Sequence, residues 1–148
     1  MKSFYQYITE LNLYRGVGDG SDDKYITWYT IDKKLAQGYA DKRNNSKLIT
    51  TTINLKKVID LFRDNYTLTP SSFVSIAIKN TDISTIDIEQ GKIIRKNFID
   101  YFGPMSREVI HYWKDSKSKQ QTAIMLKFFG FDAIRITEDG IDTYGILN

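Results

Sequence analysis

A chain of 148 residues, 41% hydrophobic and 26% charged, is sized for one domain, 1–148, around a single core; its net charge of +3 and pI near 8.9 are mild. The basic runs at Lys56-Lys57 and from Lys114 to Lys119 are short and mixed with polar or acidic residues, unlike the concentrated stripe of a nucleic-acid binder. With no cysteine and one histidine, His111, disulfides, thiolate chemistry and a histidine-rich metal site are excluded, and no apolar run approaches the roughly 20 residues of a membrane span.

In chain order, Phe4, Tyr7, Ile8 and Leu11 have helical spacing and predict a short helix from Phe4 to Leu11. The N-terminus lacks the apolar core of a secretory signal, so a cytoplasmic protein with no membrane partner is expected. Leu13 to Val17 reads as a strand, followed by the acidic loop Gly18-Asp19-Gly20-Ser21-Asp22-Asp23. Tyr25 to Thr30, rich in β-branched and aromatic residues, predicts a second strand. Asp32 then stands where an N-cap belongs, and Leu35, Ala36, Tyr39 and Ala40 make an apolar stripe on the helix it opens.

Lys47 to Asn54 alternates as a strand does, and Leu55 to Phe62 suggests a short helix. Pro70 breaks a turn between Thr67 and Ser72. Ser71 to Ala77 fits a helix or a buried strand, and Asp87 to Ile94 and Phe98 to Phe102 are equally open. Ser106, Val109, Ile110 and Trp113 fit a capped helix, and Gln120 to Phe129 fits another, stopped at Gly130 by a left-handed residue. Asp132 to Thr137 is a strand, Glu138 to Asp142 a turn, and Thr143 to Leu147 the returning strand. Strands and helices mix without regular alternation, which predicts an α+β fold. Asp82, Asp87 and Glu89 are spaced as metal-binding carboxylates can be, but acids on a solvated segment are the commoner source of that pattern, so no metal is expected.

Four segments, read in this order, resemble the ADP-ribosyltransferase fold, in particular small bacterial and phage members that include an anti-CRISPR protein. Leu13-Tyr14-Arg15-Gly16 looks like the first strand of that family with its arginine. Trp28-Tyr29-Thr30, with Ala36 and Tyr39-Ala40 after it, is similar to the family's strand-to-helix pattern. Lys47 to Asn54, with Leu55-Lys56-Lys57-Val58-Ile59-Asp60, resembles the next element, and Phe129-Gly130-Phe131-Asp132-Ala133-Ile134 resembles the entry to a late strand. These segments cover about half the chain, and 67–101 adds little.

The resemblance implies two small antiparallel sheets flanked by helices, with NAD as co-substrate in the cleft between them. It also implies transfer of ADP-ribose to a macromolecular acceptor, a protein rather than a nucleic acid, in a phage counter-defence setting within a bacterial or infected cell. The bond between nicotinamide and ribose breaks through an oxocarbenium-like state, so a carboxylate near the ribose stabilises the developing charge. A forked arginine suits the pyrophosphate and an aromatic ring suits nicotinamide. By resemblance Arg15 and Gly16 contact the dinucleotide, Tyr29 and then Tyr39 stack, and Thr30 takes the place of the last hydroxyl in the family's Ser-Thr-Ser triplet. Trp28 and Tyr29 occupy the first two places of that triplet, a departure toward the branch that has tyrosine there.

The acid is open among three residues. Arginine-type members carry Glu at the start of a late strand, where this chain has Asp142-Thr143-Tyr144. Glu138 and Asp139 instead follow the Phe-Asp-Ala-Ile strand, so the order of candidates is Glu138, Asp139, Asp142. Glu-Asp-Gly is also an ordinary hairpin turn, Arg15 is also readable as a surface arginine, and Tyr29 and Tyr39 as core aromatics. The rival functions are a catalytically inactive member that binds a defence protein or nucleic acid, an NAD hydrolase, and an unrelated binding module.

Overall fold

The structure is a computed structural model that describes residues 8–61, 69–103, 115–138 and 140–148, with the backbone alone at 8–10 and 138. It is α+β. Six strands, β1 (Ile8–Val17), β2 (Ile26–Thr30), β3 (Lys47–Leu55), β4 (Val58–Asp60), β5 (Ala133–Glu138) and β6 (Ile141–Leu147), form one sheet in the order β3-β1-β2-β6-β5-β4. Every neighbouring pair is antiparallel except β4 and β5, which run parallel. Among the described residues four α-helices accompany it, α1 (Lys33–Asp41), α2 (Pro70–Lys79), α3 (Ile88–Phe102) and α4 (Ser116–Phe128).

The expected pair of antiparallel sheets is therefore corrected to one mixed sheet. The join is slender: β1 pairs with β3 from Ile8↔Leu55 to Val17↔Lys47, but with β2 at Tyr14↔Thr30 alone. Beyond that point the two strands part, and the sheet forks. It is also strongly curled, because its two edge strands are consecutive in the chain. Lys56 and Lys57 alone separate Leu55 of β3 from Val58 of β4, and three residue steps span at most about 11 Å. The concave side holds a small core of Leu13, Leu55, Val58, Ala133 and Tyr144, with Tyr29 and Ile146 against it. The opposite side carries Ile26, Ile59, Ile134 and Ile136 against Phe73, Phe98, Met125 and Leu126 of the helices. Phe98 meets Phe73 edge-on at 5.7 Å and Phe102 at 4.7 Å between ring centroids.

Several local expectations change. The helix expected from Phe4 to Leu11 is a strand from Ile8 onward, since β3 offers a ladder that helical spacing in an eight-residue stretch cannot match. The helix expected from Leu55 to Phe62 is overturned over Leu55–Asp60. There the β-branched pair Val58-Ile59 lies buried in β4, and Ile59 is paired with Ile134. Asp132 holds this entry in place, its carboxylate accepting the Lys56 and Lys57 N–H groups at 2.7 and 3.0 Å. Asp142, expected in a turn, lies within β6, and Gly140, just before that strand, has φ 76°. The open segments resolve as helices: Thr69 caps α2 with Pro70 at its first turn, and Asp87 caps α3. Asp115 caps α4, which begins at Ser116 rather than Gln120, and Gly130 at φ 87° follows its end. Asp32 caps α1 as expected. The helix expected around Ser106 and Trp113, together with His111, lies outside the described residues.

Lys57, at 9% exposure, ties α4 to the sheet. Its ammonium donates to the Phe129 carbonyl at 2.7 Å and to Thr81 Oγ1 at 3.3 Å, and sits 4.2 Å from the Phe131 ring centroid. Burial lowers its pKa from the ordinary 10.5, and Asp132 works against that shift. Between the lowered folded value and 10.5 the unfolded chain holds more protons, so this group makes stability rise with pH there. Lys57→Met should flatten that rise, and at pH 7 it should lower unfolding free energy by about 1–3 kcal/mol as the Phe129 carbonyl loses its short donor and keeps the Thr81 hydroxyl at 3.5 Å. Denaturant titrations from pH 7 to pH 10 read both effects.

Candidate functional site

A cavity of about 430 Å³ opens at the fork between β1 and β2, within the size range of small-molecule sites. Tyr14, Arg15 and Gly16 form one wall and Trp28, Tyr29 and Thr30 another. Ala36, Tyr39 and Arg43 come from α1 and its end, Ile136 and Thr143 from the sheet floor, and Lys119 from α4. Gly20, Ser21 and Asp22 of the acidic loop form its rim.

Arg15 bridges the fork. Its Nη1 donates to the Trp28 carbonyl at 2.9 Å, replacing a ladder contact that the diverging strands lack, and its Nη2 is 4.0 Å from Asp23. Its side chain is 11% exposed, and its buried Nε has no hydrogen-bond partner among the described residues. Gly16 permits α1 to lie directly on β1: a Cβ there would stand 2.1 Å from the Ala36 carbonyl oxygen and 2.5 Å from the Ala40 nitrogen. Its role in the fold is close backbone approach, and the same contact brings α1 to the cavity.

Thr30 is buried, and its hydroxyl accepts the Asp32 N–H at 3.1 Å, holding the strand-to-helix turn. Tyr29 borders the cavity, but its ring packs on the concave core and its strand partner is Tyr144. Burial raises the Tyr144 pKa, with Arg135 opposing. Trp28 alternates to the helical side, where its indole lies over Gly145; a Cβ on Gly145 would be 2.8 Å from Trp28 Cη2. Tyr39, 38% exposed, stands on the cavity wall with the Lys42 ammonium 5.6 Å from its ring centroid.

Of the three acids, Asp142 is held by Arg135, 3.0 Å from Nη2, and Arg135 also meets Asp60 at 3.5 Å. Asp142 borders a shallower groove with Tyr14, Ile31, Asp32, Lys33 and Gly140, not the main cavity. Glu138 closes β5, two residues beyond Ile136, with its Cα paired to that of Ile141. Asp139 lies outside the described residues.

The residues that sequence reasoning missed are cations and their partners. Lys119 is 11% exposed at its side chain and lies 3.3 Å from Asp22, 97 positions away in sequence. Arg43 donates to the Asp19 carbonyl at 2.9 Å. With Arg15, these give three cations against Asp22 on the cavity lining, a field that favours an anionic ligand.

Among the described residues, no group of three or more His, Cys, Asp or Glu is placed to hold a metal ion, and no helix is long and apolar enough to cross a membrane. Asp82 and Asp87 act as caps, to the short 3-10 turn Ile83–Thr85 and to α3. No protein-family model, curated protein or solved structure matches the chain.

Proposed function

We propose that the domain is a mono-ADP-ribosyltransferase of the ADP-ribosyltransferase fold. It takes NAD in the forked cavity and transfers ADP-ribose to a macromolecular acceptor, a protein rather than a nucleic acid. The observation that carries this reading is Arg15: a nearly buried guanidinium on β1, at the mouth of a sheet fork, with a buried Nε that has no partner among the described residues and two more cations lining the same cavity. Such an array suits the pyrophosphate of a dinucleotide through charge-assisted hydrogen bonds. Trp28, Tyr29 and Tyr39 supply aromatic surface on the lining.

Glu138 is the acid in this reading, because Asp142 already neutralises Arg135. Its position at the end of β5, beyond the cavity-lining Ile136, supports a role beside the ribose. There it stabilises positive charge at the ribose carbon as the bond to nicotinamide breaks, and a nucleophile of the acceptor then forms the new bond at that carbon. The intracellular and phage counter-defence setting belongs to the same proposal.

Incubation of the protein with NAD and a bacterial lysate should release nicotinamide and label an acceptor. Glu138→Gln should lower that rate by about 100-fold or more without changing the thermal midpoint. A variant as active as the parent would remove Glu138 from the reaction. The engagement of Asp142 favours a second reading, an inactive member of the fold that binds a defence protein or nucleic acid. It predicts no nicotinamide release in any lysate.

A further inference from the structure

The loop between β1 and β2 is fastened at both ends, and between them Ser21 turns back on Gly18, its N–H donating to the Gly18 carbonyl at 3.1 Å and its Oγ accepting the Gly18 N–H at 3.0 Å. Asp19 is fixed by its N–H to the Asn44 carbonyl at 3.0 Å, by Arg43 on its own carbonyl, and by Asn45 Nδ2 on its carboxylate at 3.1 Å. Asp23 is fixed through its carbonyl, which accepts from Thr27 Oγ1 at 3.1 Å and from Asn148 Nδ2 at 2.7 Å. Between these anchors lie Gly20, at φ 84°, and Asp22. The Asp22 carboxylate accepts the Lys24 N–H at 3.3 Å and the Lys119 ammonium at 3.3 Å, and the same ammonium lies 3.5 Å from the Asp22 carbonyl.

The two members of that ion pair live in different solvents. Lys119 is 11% exposed and faces the cavity, whereas Asp22 is 40% exposed on the rim. Arg15 and Asp23 repeat the asymmetry at 4.0 Å, with 11% and 59% exposure. A carboxylate in water loses little when an exposed pair separates. A cation away from water needs an anion close by. The lysine is thus the member that demands a partner, and the aspartate is the one free to leave.

We propose that Asp22 is a built-in stand-in for a phosphate. It neutralises Lys119 while the cavity lacks an anion, and a pyrophosphate-bearing ligand displaces it and takes over Lys119 together with Arg15. The short strap that carries Asp22, between Ser21 and Asp23, swings outward as this happens. The inference rests on the nucleotide reading of the same cavity but not on the cleavage of NAD.

Calorimetric titration with inorganic pyrophosphate tests it, in the parent and in Asp22→Asn, Asp22→Ser, Lys119→Met and Asp22→Asn/Lys119→Met. Removing the competing carboxylate should tighten pyrophosphate binding about fivefold in both Asp22 variants. Lys119→Met should weaken it about tenfold. The gain from Asp22→Asn should vanish in the double variant, because it acts through Lys119. Unchanged or weaker binding in the Asp22 variants overturns the proposal, as does the same gain in the presence and absence of Lys119, or no binding of pyrophosphate to any form. Nicotinamide release is read separately. If pyrophosphate behaves as stated and NAD is never cleaved, the transferase reading falls and the strap stands; cleavage with an indifferent Asp22 gives the reverse.

Discussion

Gly16→Ala is expected to cost the domain about 3 kcal/mol and to lower its thermal midpoint by about 6–12 °C. The added methyl would sit 2.1 Å from the Ala36 carbonyl oxygen and 2.5 Å from the Ala40 nitrogen. Both are backbone atoms of α1, so no side chain can rotate away; the helix itself has to lift from β1. Gly38 on the same helix is the control, for nothing lies within 4 Å of a Cβ built there. Gly38→Ala should stabilise by about 0.5–1 kcal/mol, since glycine inside a helix costs backbone entropy. Thermal melts of the two variants therefore move in opposite directions. A Gly16→Ala melt close to the parent would mean that α1 is not seated on β1 as described, and the cavity wall it supplies would go with it.

The second large effect is expected at Arg15. Arg15→Lys keeps the charge but should weaken binding of pyrophosphate or ADP-ribose by about tenfold or more. It should also lower stability by about 1–3 kcal/mol as the Trp28 carbonyl loses its donor. A guanidinium can hold the Trp28 carbonyl at 2.9 Å with one nitrogen and still present others to Asp23 and to the cavity. An ammonium is one point of charge on a flexible stem and cannot serve both strands of the fork at once. Calorimetry and urea titration measure the two losses. Parent-like affinity in this variant would show that the cavity does not use Arg15 to hold an anion.

How far these features could be read from the chain depends on what kind of interaction makes them. Asp32 announces α1 because an N-cap is a local device: its carboxylate accepts the Lys34 and Leu35 N–H groups two and three residues on. The strands Ile26–Thr30 and Lys47–Leu55 were legible from their β-branched content, and so was the strand that follows Gly130. β4 was not, since three residues are too few for a period and its state is decided by Asp132 and β5, more than 70 positions away. The single sheet was hidden in the same way, hanging on the Tyr14↔Thr30 register that no local pattern encodes. At the candidate site, Arg15, Gly16, Tyr29, Thr30 and Tyr39 do border one cavity. Lys119 could not be anticipated there, because the curl of the sheet and the seating of α4 bring it to Asp22.

The position of β5 and β6 has a consequence for how the chain is made. This hairpin, made after the other four strands of the sheet, is inserted at its heart, between β2 and β4. Until it leaves the ribosome, β2 and β4 each present an unpaired edge, and Ile26 and Ile59, both later fully buried, have no floor beside them. Local pairing can complete β1 with β3 early, but the pairings that join the two halves of the sheet span more than 70 residues and come late. A nascent chain stalled before residue 133 would therefore carry open strand edges, the templates on which chains aggregate.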